Sequence, residues 1–281
     1  MLRKSLLKLI EMIPPGARQK IKQNRVLGRM GSAALRKVVS SGEPIVVTIQ
    51  QGPSRGMKLI VDEHTPRYYW LEGHDEPDVV AVLQQSTPSG GTVLDIGAHV
   101  GTETLMFSRW VGESGKVIAV EADPKTAARL QSNLQLNNLS NVQMIAKAIS
   151  NHVGTVRFSA DVTVTSAVAD SAAQSSTVEI PCDTIDHLDQ SLGLGRIDLI
   201  KIDVEDHEVA VLDGAVQTLR DKSPVWLVEI HSPASLHGCV ERFEAAGYRV
   251  QNVEPDAAAI LASKNPDPAQ FHRFHLLARR P

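Results

Sequence analysis

Two hydrophobic rhythms alternate along most of this chain. Short apolar runs of strand length fall at 93–96, 117–120, 142–149, 197–204 and 225–231. Between them, apolar residues recur at helical spacing over 102–111, 125–137, 206–220 and 235–246. Continuous apolar runs bounded by turn residues predict strands buried on both faces, and their alternation with helices predicts a mostly parallel sheet covered on both sides. Two last strands, about 248–253 and 272–279, bring the sheet to seven. The first helix packs through Phe107, Trp110 and Val111 and stops at Gly112; Pro124 opens the second, with Ala128, Leu130 and Leu134 inward.

The rhythm is absent at the start and breaks once in the middle. Residues 2–13 put Leu2, Leu6, Leu9 and Ile13 on one helical face, Pro14-Pro15-Gly16 ends that helix, and a second basic helical stretch covers about 17–39. Ile45–Ile49 and Met57–Val61 flank Gly52-Pro53-Ser54-Arg55-Gly56 and predict a small β-hairpin. Tyr68-Tyr69-Trp70 caps a core edge or offers a substrate platform, and residues 77–86 read as a helix. Residues 151–180 form an insertion, with short strands at 156–158 and 178–180 around an Ala/Ser-rich loop where acceptor contacts are expected. The expected organisation is therefore a basic helical arm (1–44), a hairpin and lid segment (45–90), and an α/β domain (91–281).

Charge changes the picture at the N-terminus. Residues 1–40 carry ten Lys/Arg against Glu11, a net +9, while the remainder carries −12. Such a basic arm suits peripheral contact with an anionic membrane surface, or packing on its own domain or on a second subunit in a homodimer; plain packing is the simpler reading. No nucleic-acid partner is expected. No apolar run is long enough to span a bilayer, and Lys8 and Glu11 interrupt the one that mimics a signal peptide, so a cytoplasmic or membrane-peripheral protein is expected. Cys182 and Cys239 lack metal or redox spacing and read as reduced, buried residues.

The chemistry concentrates in residues 93–123. A dinucleotide fingerprint, G-x-G-x-x-G, would place its first glycine where Asp95 stands and its third where Val100 stands. A carboxylate there repels a pyrophosphate by roughly 4 kcal/mol per charge pair at 4 Å and an effective dielectric near 20. S-adenosylmethionine (SAM) carries a sulfonium and an ammonium and no phosphate, so an acid at the turn suits it. Gly97 and Gly101 allow close backbone approach, and Glu121, ending the next strand, can accept both ribose hydroxyls. A nicotinamide dehydrogenase fares worst, because Asp95 occupies the phosphate turn.

Ligands of open α/β sheets bind beyond the carboxyl ends of the strands. With the first three strands assigned to SAM, strands four and five are left for the acceptor. Strand four offers Lys201, Asp203 and Glu205, spaced by two; strand five offers Glu229 and His231. His231 and Asp203 are the candidate bases for an acceptor hydroxyl, with His207 third. Asp203, Glu229 and His231 have the chemistry for Mg²⁺ or Mn²⁺ but no spacing that demands it, and a Lys201–carboxylate pair explains the charges equally well, so no metal is assigned.

These motifs resemble the FkbM-type SAM-dependent methyltransferases. The resemblance rests on Gly73…Glu76-Pro77, on Val93–Gly101 continued by Glu121 and Asn137…Asn141-Val142, and on Asp198–Glu208 followed by Val211-Leu212-Asp213-Gly214-Ala215. It runs from about Gly52 to the C-terminus. It implies a class I, Rossmann-like methyltransferase fold, SAM as donor, and O-methylation of a hydroxyl on a sugar, glycoconjugate or secondary metabolite. The expected cofactor residues are then Glu76, Asp95, Gly97, Ala98, His99, Gly101, Glu121, Ala122, Ala148 and Asp203; those expected for catalysis, from the strand ends, are Asp203, His231, Lys201 and His207. The family usually has Asn at His99, Tyr at Asp75 and Gly-Ala at Asp206-His207. A SAM-binding protein without turnover, docking on a membrane-associated glycan assembly, is the competing reading.

Overall fold

A computed structural model describes residues 12–14, 17, 20, 44–61, 76–159, 177–263, 266–267 and 271–281. The expected N-terminal helices, the Tyr68-Tyr69-Trp70 cluster and the loop at 160–176 lie outside the described residues. The chain divides into two compact units, Met1–Asp75 with Gln135–Asn137, and Glu76–Leu134 with Asn138–Pro281. In the first, β1 (Ile45–Thr48) and β2 (Lys58–Val61) pair antiparallel as the hairpin pattern predicts. Ile45, Val47, Leu59 and Val61 are buried, and Val46 between them is exposed.

The second unit holds the alternating strands and helices. Its elements run α1 (Pro77–Ser86), β3 (Thr92–Ile96), α2 (Thr102–Val111), β4 (Lys116–Glu121), α3 (Pro124–Leu136), β5 (Val142–Ala146), β6 (Ala148–Ile149), β7 (Gly154–Ser159) and β8 (Thr177–Asp183). They continue through α4 (Ile185–Leu192), β9 (Leu199–Ile202), α5 (Glu208–Asp213), β10 (Val225–Ile230), α6 (Pro233–Ala245), β11 (Arg249–Asn252), α7 (Ala258–Ala262) and β12 (Phe274–Arg279). Seven strands form one sheet in the order β11-β12-β10-β9-β3-β4-β5. β10, β9, β3, β4 and β5 pair parallel, while β12 runs antiparallel to both its neighbours. The order turns back between β3 and β9, which opens a ligand crevice at their carboxyl ends.

The period of two divides the core between the two faces of this sheet. Leu94, Ile96, Ile118, Val120, Ile200, Ile202, Trp226 and Val228 join one buried cluster, with Phe243 of α6 packed edge-on against Trp226. Val93, Val117, Leu199, Leu227 and Leu277 join another, covered by Val79 and Leu83 of α1 and by Phe107 and Val111 of α2. Trp110 meets Phe107 edge-on, at the margin of that second cluster. By this packing α1 belongs with the sheet.

Three expectations need correction. The strand expected over 142–149 is two: β5 ends at Ala146, and the chain swings at Lys147 so that β6 pairs with β8. β6, β8 and β7 form a separate three-stranded sheet, with Lys147 Nζ 2.8 Å from Asp183 Oδ2 at the swing. The helix expected over 206–220 runs only Glu208–Asp213; Gly214 follows, so close to another backbone that a Cβ there would stand 2.1 Å from the Ser150 carbonyl oxygen. A π-helical turn, Thr218–Lys222, follows, and Asp186 accepts from the Gln217 and Thr218 amides just before and at its start. On α3 the inward alanine is Ala127; Ala128 is exposed, one residue and about 100° around the helix away. Cys182 and Cys239 are free and buried.

Candidate active site

Strand register places the charged residues. Asp95 of β3 and Lys201 of β9 are direct partners across a parallel pair, with Ala119 and Leu227 next in the same row. They share the parity of Val93, Leu199 and Leu227, so they project on the α1–α2 face where its apolar cluster ends. Asp95 is fully buried and accepts from Thr104 Oγ1 of α2 at 2.5 Å. Its other oxygen, Oδ1, has no hydrogen-bond partner and lies 4.0 Å from Lys201 Nζ. Burial pushes the Asp95 carboxyl up to about 6, against the pull of Lys201.

The turn after β3 is built by backbone. Gly97 has φ +81° and packs so tightly that a Cβ would stand 1.8 Å from the Asp203 carbonyl oxygen. Gly101, at φ +92°, caps α2, and a Cβ there would reach Leu130 Cδ1 at 2.6 Å. Both glycines are required by conformation and by space. Between them His99 adopts φ +49°, in the left-handed region where the family more often has Asn, a residue that tolerates it better. The His99 and Asp123 amides both donate to Glu121, at 2.8 Å each. Burial raises the Glu121 carboxyl to about 7, although those amides favour its charge. Ala98 is buried beneath Leu130 and Leu134, Ala122 packs at the edge of the small sheet, and Ala148 is buried inside that sheet's core.

At the β9–β10 end, side chains replace backbone. Burial opposes the charge on Lys201, but Asp203, Glu103, Asp95 and Glu229 outweigh it and hold the ammonium above its ordinary value. Its Nζ donates to Asp203 Oδ2 at 3.2 Å. Burial alone would raise Asp203, yet Lys201 and His231 draw it below the usual carboxylate range. The strand itself ends at Ile202, so Glu205 reaches the same side through a turn in which Glu205 and Asp206 have φ +50° and +72°. The family's usual glycine falls at Asp206, the more positive of the two.

His231 follows β10, and its side chain is 9% exposed. Nδ1–H donates to Glu208 Oε1 at 2.9 Å. Glu208, on the first turn of α5, is completely buried and also accepts from the Asp206 amide and from Ser235 Oγ of α6, the last at 2.5 Å. Nε2 makes no hydrogen bond; Glu205 Oε2, Asp203 Oδ1 and Glu229 Oε1 surround it at 3.5, 3.6 and 3.8 Å. Burial works against the imidazolium, but Glu208, Asp203 and Glu205 raise its pKa to about 9. Burial, then the Asp203 charge, push Glu229 to about 7, against His275, Lys201 and Arg273. Arg273 Nη1 lies 3.3 Å from Glu229 and is itself 67% exposed.

Thus Asp95, Gly97, His99, Gly101 and Glu121 come together at one end of the crevice, and Lys201, Asp203 and His231 at the other. His207 does not join the second group: its Nε2 pairs with Ser150 Oγ at 3.0 Å. Glu76, at the start of α1, sits with Glu254 and His275 of the β11–β12 edge. Sequence reading missed Glu208, Ser235, Thr104 and Arg273. Glu208 had the look of an ordinary first-turn helix acid, and its partners stand 23 and 27 residues away.

The strand order, the reversed β12 and an acid–glycine turn beneath the switch point define a class I, SAM-dependent methyltransferase fold. The residues present fit SAM: a glycine turn with no Cβ in the way, an Asp95 Oδ1 that accepts no hydrogen bond, and an acid at the end of β4. The chain belongs to the methyltransferase FkbM domain family, whose model matches residues 95–250. It is 26% identical over 157 residues to the hexuronic acid methyltransferase AglP of Haloferax volcanii, covering 56% of this chain and 63% of that protein. It is 34% identical over 71 residues to a probable cobalt-precorrin-6B C(15)-methyltransferase (decarboxylating) of Sulfolobus acidocaldarius, covering 25% of this chain and 37% of that one. The chain thus spans less than two thirds of either curated relative. A solved methyltransferase FkbM from Methylobacillus flagellatus KT shares 16% identity at a TM-score of 0.45, over 67% of this chain and 44% of that chain.

Proposed function

We propose that this chain is a SAM-dependent O-methyltransferase acting on a hydroxyl of a sugar or glycoconjugate. The observation that carries the reading is the β9–β10 cluster beside the glycine turn, where an ionised Asp203 is held 3.2 Å from a buried Lys201. When bound, SAM supplies an electrophilic methyl group on a sulfonium. Asp95 and Glu121 hold its ammonium and ribose ends, and the backbone at Gly97 and Gly101 leaves room for it. Asp203 accepts from the incoming hydroxyl and orients it for in-line attack. Glu229, with a pKa of about 7, takes the proton, since a base poised near the working pH is the effective one. His231 is protonated when no cation stands beside it, and then positions Asp203 and Glu205. The likeness to a hexuronic acid methyltransferase supports a uronic sugar. Its carboxylate would be repelled by this acidic cluster and suits the exposed Arg273 at the rim.

The test is incubation of the protein with isotope-labelled SAM and uronic or neutral glycans, followed by mass spectrometry, with S-adenosylhomocysteine binding measured by calorimetry. Label on an oxygen is expected, and Glu229→Gln should slow transfer by about 10²–10⁴ with S-adenosylhomocysteine affinity changed only a few-fold. Label on carbon or nitrogen, or no transfer to any acceptor, overturns the reading.

A further inference from the structure

The geometry points to a divalent-cation site formed by Asp203, Glu205 and His231. One ligand atom from each lies within 4.8 Å of the others. What separates this group from an ordinary acidic cluster is His231. Its side chain is more than nine-tenths buried, and its Nε2 makes no hydrogen bond while aimed between two carboxylate oxygens at 3.5 and 3.6 Å. The opposite ring nitrogen is fixed by the fully buried Glu208, which is fixed in turn by Ser235 and the Asp206 amide. A carboxylate holding Nδ1–H presents the Nε2 lone pair outward, which is how metal-ligating histidines are oriented.

Spacing and charge agree. Neighbouring ligand atoms around an octahedral cation at about 2.1 Å stand about 3 Å apart, so each carboxylate needs to approach Nε2 by only about half an ångström from its present 3.5 or 3.6 Å. Asp203 and Glu205 have side chains 29% and 28% exposed, which leaves the open side for water or acceptor oxygens. Asp203, Glu205, Glu208 and Glu229 face Lys201, Arg273 and His231 here, so a divalent ion would take over the positive charge that the His231 imidazolium supplies when no cation is bound. Two carboxylates and one imidazole suit Mn²⁺ or Mg²⁺. The second cluster among the described residues, Glu76, Glu254 and His275, is different. There Glu254 already accepts from the amide of His275 at 2.9 Å and from its Nδ1 at 2.5 Å.

This site deepens the acceptor half of the proposed O-methyltransferase, but cation binding is read without methyl transfer, so the two ideas fail separately. The full chain, stripped with a chelator, is titrated with Mn²⁺ and free ion is followed by electron paramagnetic resonance. One Mn²⁺ per chain is expected, with affinity lowered about 10- to 100-fold in Glu205→Gln and His231→Ala, about 10-fold in Glu208→Gln, and unchanged in Glu254→Gln. Circular dichroism melts select the variants that fold, and competition by Mg²⁺ extends the measurement to wild-type protein alone. No stoichiometric binding by the wild type at millimolar Mn²⁺, equal affinity in the folded Glu205 and His231 variants, or a loss confined to Glu254→Gln overturns the site.

Discussion

The β3–β4 end of the crevice and the β9–β10 end both hold buried acids, by different means. At β3–β4 Glu121 is met by two backbone amides, and Asp95 by the Thr104 hydroxyl and the charge of Lys201 across the sheet. At β9–β10 the charges are met by one another, through Lys201, His231, Asp203 and Glu208. Backbone donors are set once the sheet and turn form, whereas a side-chain network depends on every member being present. The first end is therefore sensitive to shape and the second to charge.

Gly97→Ala is the severest way to break the first end. The added Cβ meets the Asp203 carbonyl at 1.8 Å, and the left-handed φ adds strain, so a loss of about 3–5 kcal/mol is expected in urea unfolding. A loss under about 1 kcal/mol would mean that the turn is looser than described here. The second end should announce itself through pH. His231 is raised from 6.5 to about 9, so its contribution is fully present below about pH 6.5 and is lost as pH rises through 9. With a chelator present, wild-type protein should lose on the order of 3 kcal/mol across that window, and His231→Gln should flatten the limb. Asp95 and Glu121 slope the same way at lower pH, but because a buried acid becomes charged rather than because a base loses its charge. As carboxyls raised to about 6 and 7, they favour the fold most at low pH; the cost of burying their charge sets in above the ordinary values of 3.8 and 4.5 and is complete once pH has risen through 6 and 7. The smallest effect is expected from Glu121→Gln. It should weaken S-adenosylhomocysteine binding by about 1.5–3 kcal/mol, roughly 10- to 100-fold, with little change in melting. Unchanged affinity would remove Glu121 from the proposed ribose contact.

The contrast also explains what the amino-acid sequence disclosed. α1 begins at Pro77, as the pattern required, and the acid–glycine turn was visible because its residue types are dictated by local conformation. Strand positions were legible to within a residue or two: the run read as 225–231 ends at Ile230, and that read as 197–204 spans Leu199–Ile202. The swing at Lys147 was not, since it depends on Asp183 and on pairing with β8. Nor was the close approach of Gly214 to the Ser150 backbone just past the end of α5, since Ser150 is far away in the chain. Glu208 makes the point most sharply: its helical position says surface, and only Ser235 and His231, brought in by α6 and β10, make it a buried anchor. His207 and His231 look alike in sequence, yet one pairs with Ser150 and the other faces the carboxylates.

The contact between Gly97 and the Asp203 carbonyl has a mechanical meaning. The Asp203 amide also donates to the Ile96 carbonyl at 3.0 Å, so the two loops are pinned together at adjacent residues with no side chain intervening. Thermal displacement of one loop carries the other along. The relative aim of two bound reactants would then be inherited from the register of neighbouring strands, instead of being set anew by rotamers at each encounter.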